Sequence, residues 1–493
     1  MNTPSHSPSP VTKNHTGDAG TRRATLALCI LFVLSVPLVN PWVRGDGVGY
    51  YAFARALLIE RRLDFTEDYT HANEKFRESR LEEGNRPRSH FFTSTGHLEN
   101  HFSVGPAILW SPFLLAAHAG VLAARAMGSS VKPDGFSAPY RIAMCFATAL
   151  YGFLALLISL RLACRYVEWK WALLATLGIW GASSLPVYMY FNPSWSHAHS
   201  AFAVAVFLMY WHETRAERSL RQWVLLGILA GLMLNVYYAN ALVLAAPGVE
   251  AISEYARHLG PRYRNWKSAA QLLAAHAASA AVAFVCLLPT FATRWIIYGN
   301  PFESGYVSLR DWLWTSPALL RVLFSSDHGL FSWTPVLVLA TTGLVLFAIQ
   351  RPKVGWPIFA AAMSFYLFIA CYPDWDGLSS YGNRFFVSLT LLFVLGLAVF
   401  LQKLASVLVR GQIAFPFCAT FIGLFVAWNF GFMFQWGTHL VPARGSIDWS
   451  EMVRNQFVAV PRQLGEDLGK YVFHRSALMK SIERADIEQT KAK

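Results

Sequence analysis

Two short segments, far apart in the chain, carry residue types that could do chemistry together. Near the start, Arg44-Gly45-Asp46-Gly47-Val48-Gly49-Tyr50-Tyr51 sets one carboxylate between glycines, just past an apolar run. Glycines let a backbone approach a ligand closely, and a partly buried carboxylate can be tuned toward general-base work. Near the other end, Gly382-Asn383-Arg384 puts an arginine at the mouth of another apolar run. The planar fork of a guanidinium matches a phosphate better than an ammonium does. A base that takes an acceptor proton and a fixed cation that holds a departing phosphate are what transfer from a phosphate ester needs. Asp46 is therefore the candidate base and Arg384 the candidate phosphate holder. The plain alternatives are a Gly-Asp-Gly turn at a helix end and an arginine snorkelling from one.

Other residues could assist. His328 lies in a polar segment with aromatic flanks and could add a second donor to the phosphate; the alternative is a packing histidine. Glu67 or Asp68 could be a second acid, although a solvated loop acid is the simpler reading. His101, His197, Tyr238, Trp375 and Tyr381 are candidate substrate contacts. His197 and His199 stand two apart and face different sides of a helix. His97 and His101 have i,i+4 spacing but lack the helical signature of a zinc protease, so spacing alone marks no metal site.

The elements that must position these residues are membrane helices. Apolar residues make up 54% of the chain and charged ones 14%, which excludes an ordinary soluble domain of this size. Runs such as 24–43, 140–160, 270–289, 385–401 and 413–433 approach the length needed to span a bilayer as helices. About eleven to thirteen such helices are expected in one membrane domain over 24–436. The net charge of +13 is spread over clusters that flank the runs, among them Arg161, Arg165 and Lys170, Arg215, Arg218 and Arg221, and Arg351 and Lys353. That is a topology signal, with these segments cytoplasmic, and not a nucleic-acid surface. The six cysteines sit in or beside apolar runs and read as small buried hydrophobes.

Residues 1–23 should be a disordered cytoplasmic tail, and 44–102 a long first outer loop. Within it, the pattern from Tyr50 to Leu63 suits a helix lying on the membrane. Residues 223–252 carry Asn235, Tyr237, Tyr238 and Asn240 midway and read as two helices turning at the outer face. Residues 103–127 must span twice or re-enter for Arg161 to stay inside, with Pro106 and Pro112 as breaks. Residues 437–493 should form amphipathic helices on the outer membrane surface or packed on the loops.

The order of several short motifs resembles the GT-C superfamily of membrane glycosyltransferases. They are Gly45-Asp46-Gly47-x-Gly-Tyr-Tyr, then Leu63-Asp-Phe-Thr-Glu67-Asp68-Tyr69, then His97-Leu-Glu-Asn-His101-Phe-Ser-Val-Gly-Pro. Gly299-Asn-Pro-Phe-x-x-Gly-Tyr306, Leu323-Phe-Ser-Ser-Asp-His328-Gly-Leu-Phe and Trp375-Asp-Gly-Leu-Ser-Ser-Tyr381-Gly-Asn-Arg384-Phe follow in sequence. The resemblance is to bacterial proteins near glycosyltransferase family 39 and the lipid A aminoarabinose transferase. It implies an all-α GT-C-like bundle in the bacterial inner membrane with an active site facing the periplasm or exterior. A sugar would pass from a polyprenyl-phosphate carrier to a lipid, glycan or protein acceptor. Where some members carry a second acid, this chain has Asn192-Pro-Ser-Trp-Ser-His197-Ala-His199, and Tyr237 and Tyr238 stand where many carry a basic residue. A divalent metal cofactor and the identity of the sugar stay open on those departures. So do two other readings of the residues: a transporter or flippase of lipid-linked sugars, and a surface-polysaccharide polymerase or ligase.

Overall fold

The computed structural model describes residues 15–215, 217–261, 264–407 and 411–491. The chain is an all-α membrane protein. Among the described residues, seven helices are long and apolar enough to cross a bilayer by length and composition. The one sheet among the described residues is a two-residue hairpin, β1 (Leu81–Glu82) with β2 (Arg86–Pro87), in the loop after the first helix.

Helix α1 (His15–Ser35) begins well before the first apolar residue of its run. Residues 15–23 are thus helical where a disordered tail was expected, and 1–14 lie outside the described residues. In the loop come α2 (Asp46–Arg55), prolonged by a π-turn at Ala56–Glu60, then α3 (Thr66–His71) and α4 (Glu74–Arg80). Helix α2 was expected to lie on a membrane surface, yet every residue from Gly47 to Arg55 is buried. Its apolar residues are used up inside the protein, where Phe53 meets Phe65 and Tyr51 meets Trp110.

Next are α5 (Gly105–Ala126) and α6 (Ala138–Ala163). Residues 103–127 neither span twice nor break. Pro106 sits in the first turn of α5, where its missing N–H costs nothing, and the helix runs on through Pro112. Helix α5 lies antiparallel to α6: the Leu109 carbonyl accepts from Tyr151, Trp110 donates to Thr148, and His118 meets Tyr140. Gly105 abuts the backbone of Asn235 and Val236, and the turn after α5 brings Gly135 onto Tyr51 and Arg55. Both ends of α5 therefore stay on the side of the first loop, and α6 alone carries the chain to the basic end.

The remaining long elements are α7 (Trp169–Ala182), α8 (His197–Glu213), α9 (Leu220–Val236), α10 (Ala245–Leu259) and α11 (Trp266–Cys286). Helix α9 does stop at a turn: the chain breaks at Tyr237 and resumes as a 3-10 segment, Tyr238–Leu244, ahead of α10. Asn235 and Asn240 fasten this turn by donating to the carbonyls of Cys286 and Met233. Short helices α12 (Leu288–Tyr298), α13 (Leu319–Phe324) and α14 (Leu330–Trp333) lead to α15 (Val336–Gln350), α16 (Pro352–Cys371), α17 (Thr390–Val407) and α18 (Ala414–Gly437).

Basic residues meet at one end of this bundle. Arg165 pairs with Glu213 there, and Glu250 receives Arg215 at 3.1 Å and Arg218 at 3.0 Å. At the opposite end the tail folds as α19 (Trp449–Phe457), α20 (Ala459–Phe473) and α21 (Arg475–Lys491). Of the two placements expected for it, packing on the loops holds. Asp486 takes Arg44 at 3.2 Å and His439 at 2.9 Å, Glu483 takes Asn73 at 2.8 Å, and Arg475 donates to the carbonyls of Pro37 and Val39.

Candidate active site

Asp46 opens α2, and Gly45 before it has a φ of +53°, a region that favours glycine. Gly47 rests on Ser194 so closely that an added Cβ would lie 2.4 Å from the serine Cβ. The two glycines thus let the start of α2 press against the segment before α8. Arg384 starts a 3-10 turn, Arg384–Leu389, that runs into α17. Its Nη1 donates to Asp46 Oδ2 at 2.6 Å, closing 338 residues of sequence. The structure thus brings together the two residues that sequence singled out. It also joins them in a direct ion pair.

The arginine is only partly engaged. Its Nε is buried and makes no hydrogen bond, while its guanidinium lies over the Trp195 ring, 4.7 Å from the centroid. Trp195 is itself fixed by an indole N–H donated to the Arg44 carbonyl at 3.1 Å. One donor edge of Arg384 is therefore held by Asp46, one face by tryptophan, and Nε is left over.

The pair lines a cavity of about 270 Å³. Two expected contacts, His101 and His197, line it too, and so does Tyr238, ring to ring with Tyr306 at 5.2 Å. His101 is held by a backbone that Arg294 grips: that buried guanidinium donates to the carbonyls of Asn100, His101 and Phe102 at 3.0, 2.6 and 3.1 Å. Burial pushes the His101 imidazole down to about 4, so it is neutral near pH 7.

Other expected site residues stand elsewhere. Asp68 is no solvated loop acid: it is buried and binds Arg55 through both oxygens. Glu67 stays half-exposed, 3.6 Å from the same arginine, and neither acid lines the cavity. Tyr381 is wholly buried among Trp333, Phe432 and Trp436 and donates to Asn429 Oδ1 at 2.8 Å, so it packs the core. Trp375 is buried under Arg321, and its carbonyl accepts from Asn383. His328 is also fully buried, edge-on to Trp333 at 4.5 Å and outside the cavity lining. Burial pushes its imidazole down to about 3, which removes the cationic donor expected of it.

Sequence reading missed several lining residues: Tyr50, Tyr306, Tyr372 and above all Asp374. Asp374 is a second carboxylate facing the cavity, pushed up by burial and by the neighbouring Asp376 charge. Its signal was available in Tyr372-Pro-Asp374-Trp-Asp376, which overlaps the motif ending in Arg384 by one tryptophan and one aspartate.

A second cavity, about 640 Å³ and apolar, lies between α18, the tail and the segment leading into α2, with Trp42, Phe430, Phe434, Val460 and Leu468 in its walls. Arg44, two residues before Asp46, is at its edge. A scan against protein-family models finds no match for this chain, and a search of the curated proteins finds none either.

Proposed function

We propose that this chain is a glycosyltransferase that moves a sugar from a polyprenyl-phosphate carrier to a lipid, glycan or protein acceptor. The observation that carries the reading is the Asp46–Arg384 pair on the wall of a small tyrosine-lined cavity. The chemistry follows from the two groups. An acceptor hydroxyl attacks the anomeric carbon, Asp46 takes its proton, and the C–O bond to the phosphate breaks with both electrons going to the phosphate oxygen. Arg384 holds that oxygen as its charge grows, using the Nε edge that Asp46 does not occupy. Phosphate drawn to Arg384 also competes with Asp46 for the guanidinium, so donor binding loosens the base for its proton.

Size agrees with this division of labour. At about 270 Å³ the cavity is at the small end of ligand pockets and suits a monosaccharide with its phosphate, with tyrosine rings to stack on the sugar. The apolar cavity beyond Arg44 is our candidate for the prenyl chain. In this reading the long helices form a GT-C-like bundle of the inner membrane, with the site end facing the periplasm or exterior and the basic end in the cytoplasm.

The test is mass spectrometry of lipids that copurify with the chain, followed by incubation with polyprenyl-monophosphate sugars. A polyprenyl-phosphate species bound to the wild type, and release of free polyprenyl phosphate that Arg384→Ala abolishes, is the expected result. Turnover of diphosphate-linked oligosaccharides alone would favour a polymerase or ligase. Full turnover by both Asp46→Asn and Arg384→Ala would end the assignment of roles.

A further inference from the structure

Beside Arg384, but outside the cavity lining, lies a group of side chains that the reading above leaves unused. Asp327 and His328 sit on the turn between α13 and α14, and Asp376 sits on the loop between α16 and Arg384. One ligand atom from each lies within 4.8 Å of the other two. The imidazole is wholly buried, and neither ring nitrogen makes a well-formed hydrogen bond, its contact with the Asp376 backbone being marginal. What faces it are the Asp327 carboxylate, 3.6 Å from Nδ1, and the backbone of Asp376. His328 has a φ of +55°, a left-handed conformation that costs a non-glycine residue about 1 kcal/mol or more and persists only where its surroundings impose it.

A polar ring buried with so little hydrogen bonding is costly, and two carboxylates this close repel one another. A cation between them answers both problems. We propose that Asp327, His328 and Asp376 bind a divalent transition-metal ion, with water completing its coordination. Imidazole among the donors favours zinc, manganese or iron over calcium and magnesium, which prefer all-oxygen sites. Two donors about 2 Å from one tetrahedral centre lie about 3.3 Å apart, so Nδ1 and Oδ1, at 3.6 Å, need close only slightly on an ion. The ion would staple the turn before α14 to the loop whose far end is Arg384. This rests on the donor set and not on glycosyl transfer, so either conclusion can fail without the other.

The test uses the full chain in detergent, stripped with a chelator and dialysed against Zn²⁺ or Mn²⁺, with Mg²⁺ and Ca²⁺ as controls. Bound metal is counted by mass spectrometry and the unfolding midpoint is followed against metal concentration. We expect about one Zn²⁺ or Mn²⁺ per wild-type chain and a metal-dependent rise in the midpoint. Asp376→Asn and His328→Asn should each weaken binding tenfold or more and lose that rise. Asp376 is only partly buried, so its variant tests the site even if the His328 variant fails to fold. Equal metal content in wild type and Asp376→Asn, no metal above background in the wild type, or Ca²⁺ bound as tightly as Zn²⁺ would each overturn the proposal.

Discussion

Two of the arginine–aspartate pairs at the site end of the molecule are built from the same chemistry and left in different states. Around Arg55, nothing is spare. Asp68 takes Nε and Nη2, Glu60 takes Nη1, and Phe136 covers the guanidinium face at 4.5 Å, with no part of the side chain exposed. Around Arg384, one nitrogen meets Asp46, the Nε edge is unused, and Asp46 keeps a third of its side chain exposed. An arginine whose donors are all consumed holds structure together. One whose donors are half consumed beside a cavity can bind something else. The distinction lies in unspent hydrogen-bonding capacity and access: the Arg55–Asp68 side chains are 0% and 2% exposed, those of Arg384 and Asp46 12% and 33%.

The sharpest way to break this comparison is to remove each arginine. Arg55→Met strands Asp68 as a buried charge, and loss of one partner of a buried pair costs about 3–5 kcal/mol. It should deplete folded protein, read as a lower unfolding midpoint or as loss from the membrane fraction. Arg384→Ala should instead lower transfer by about 100- to 1,000-fold, roughly 3–4 kcal/mol of barrier, with little change in midpoint. The reverse pattern, with Arg384 carrying stability and Arg55 activity, would exchange the two roles.

A pH experiment probes the cavity wall. Burial holds His101 at about 4, so the folded chain declines a proton that the unfolded chain accepts below about 6.5. Stability from this source is complete above about 6.5 and is lost as pH falls toward 4. His101→Gln should flatten that loss by up to about 3 kcal/mol in denaturant unfolding followed across the interval. An unchanged slope would contradict the histidine's burial.

The smallest effects separate two tyrosines. Tyr381→Phe loses one buried hydrogen bond to Asn429, so about 1 kcal/mol of stability should go while KM stays fixed. Tyr238→Phe, on the cavity wall, should leave the midpoint alone and shift KM severalfold. If KM moved for Tyr381 instead, the division between core and cavity drawn here would be wrong.

The helical membrane fold was legible because long apolar runs have few other solutions in lipid. Asp46 was legible because glycines flank it just past an apolar run, and Arg384 because it opens another run two residues after Gly382. What stayed hidden depends on tertiary partners. Asp68 reads as a loop acid until Arg55, thirteen residues earlier, is seen to claim it. Tyr381 belongs to the same motif as Arg384 yet points into the core, since the loop turns through Gly377, Leu378 and Gly382 at positive φ. The path of α5 follows from its antiparallel seat on α6, which its own composition does not encode.

One contact described above has a consequence for how the protein is made. Arg44 waits 442 residues for Asp486, and Asn73 waits 410 for Glu483. Both contacts can form only after every span between their partners has been laid down, so the Arg44 edge of the apolar cavity closes late. Contacts of such separation are slow to form. Undocking α21 would leave the bundle helices in place and strip Arg44 and Asn73 of these partners. The Arg44 side of the site is, in this fold, a late product of assembly.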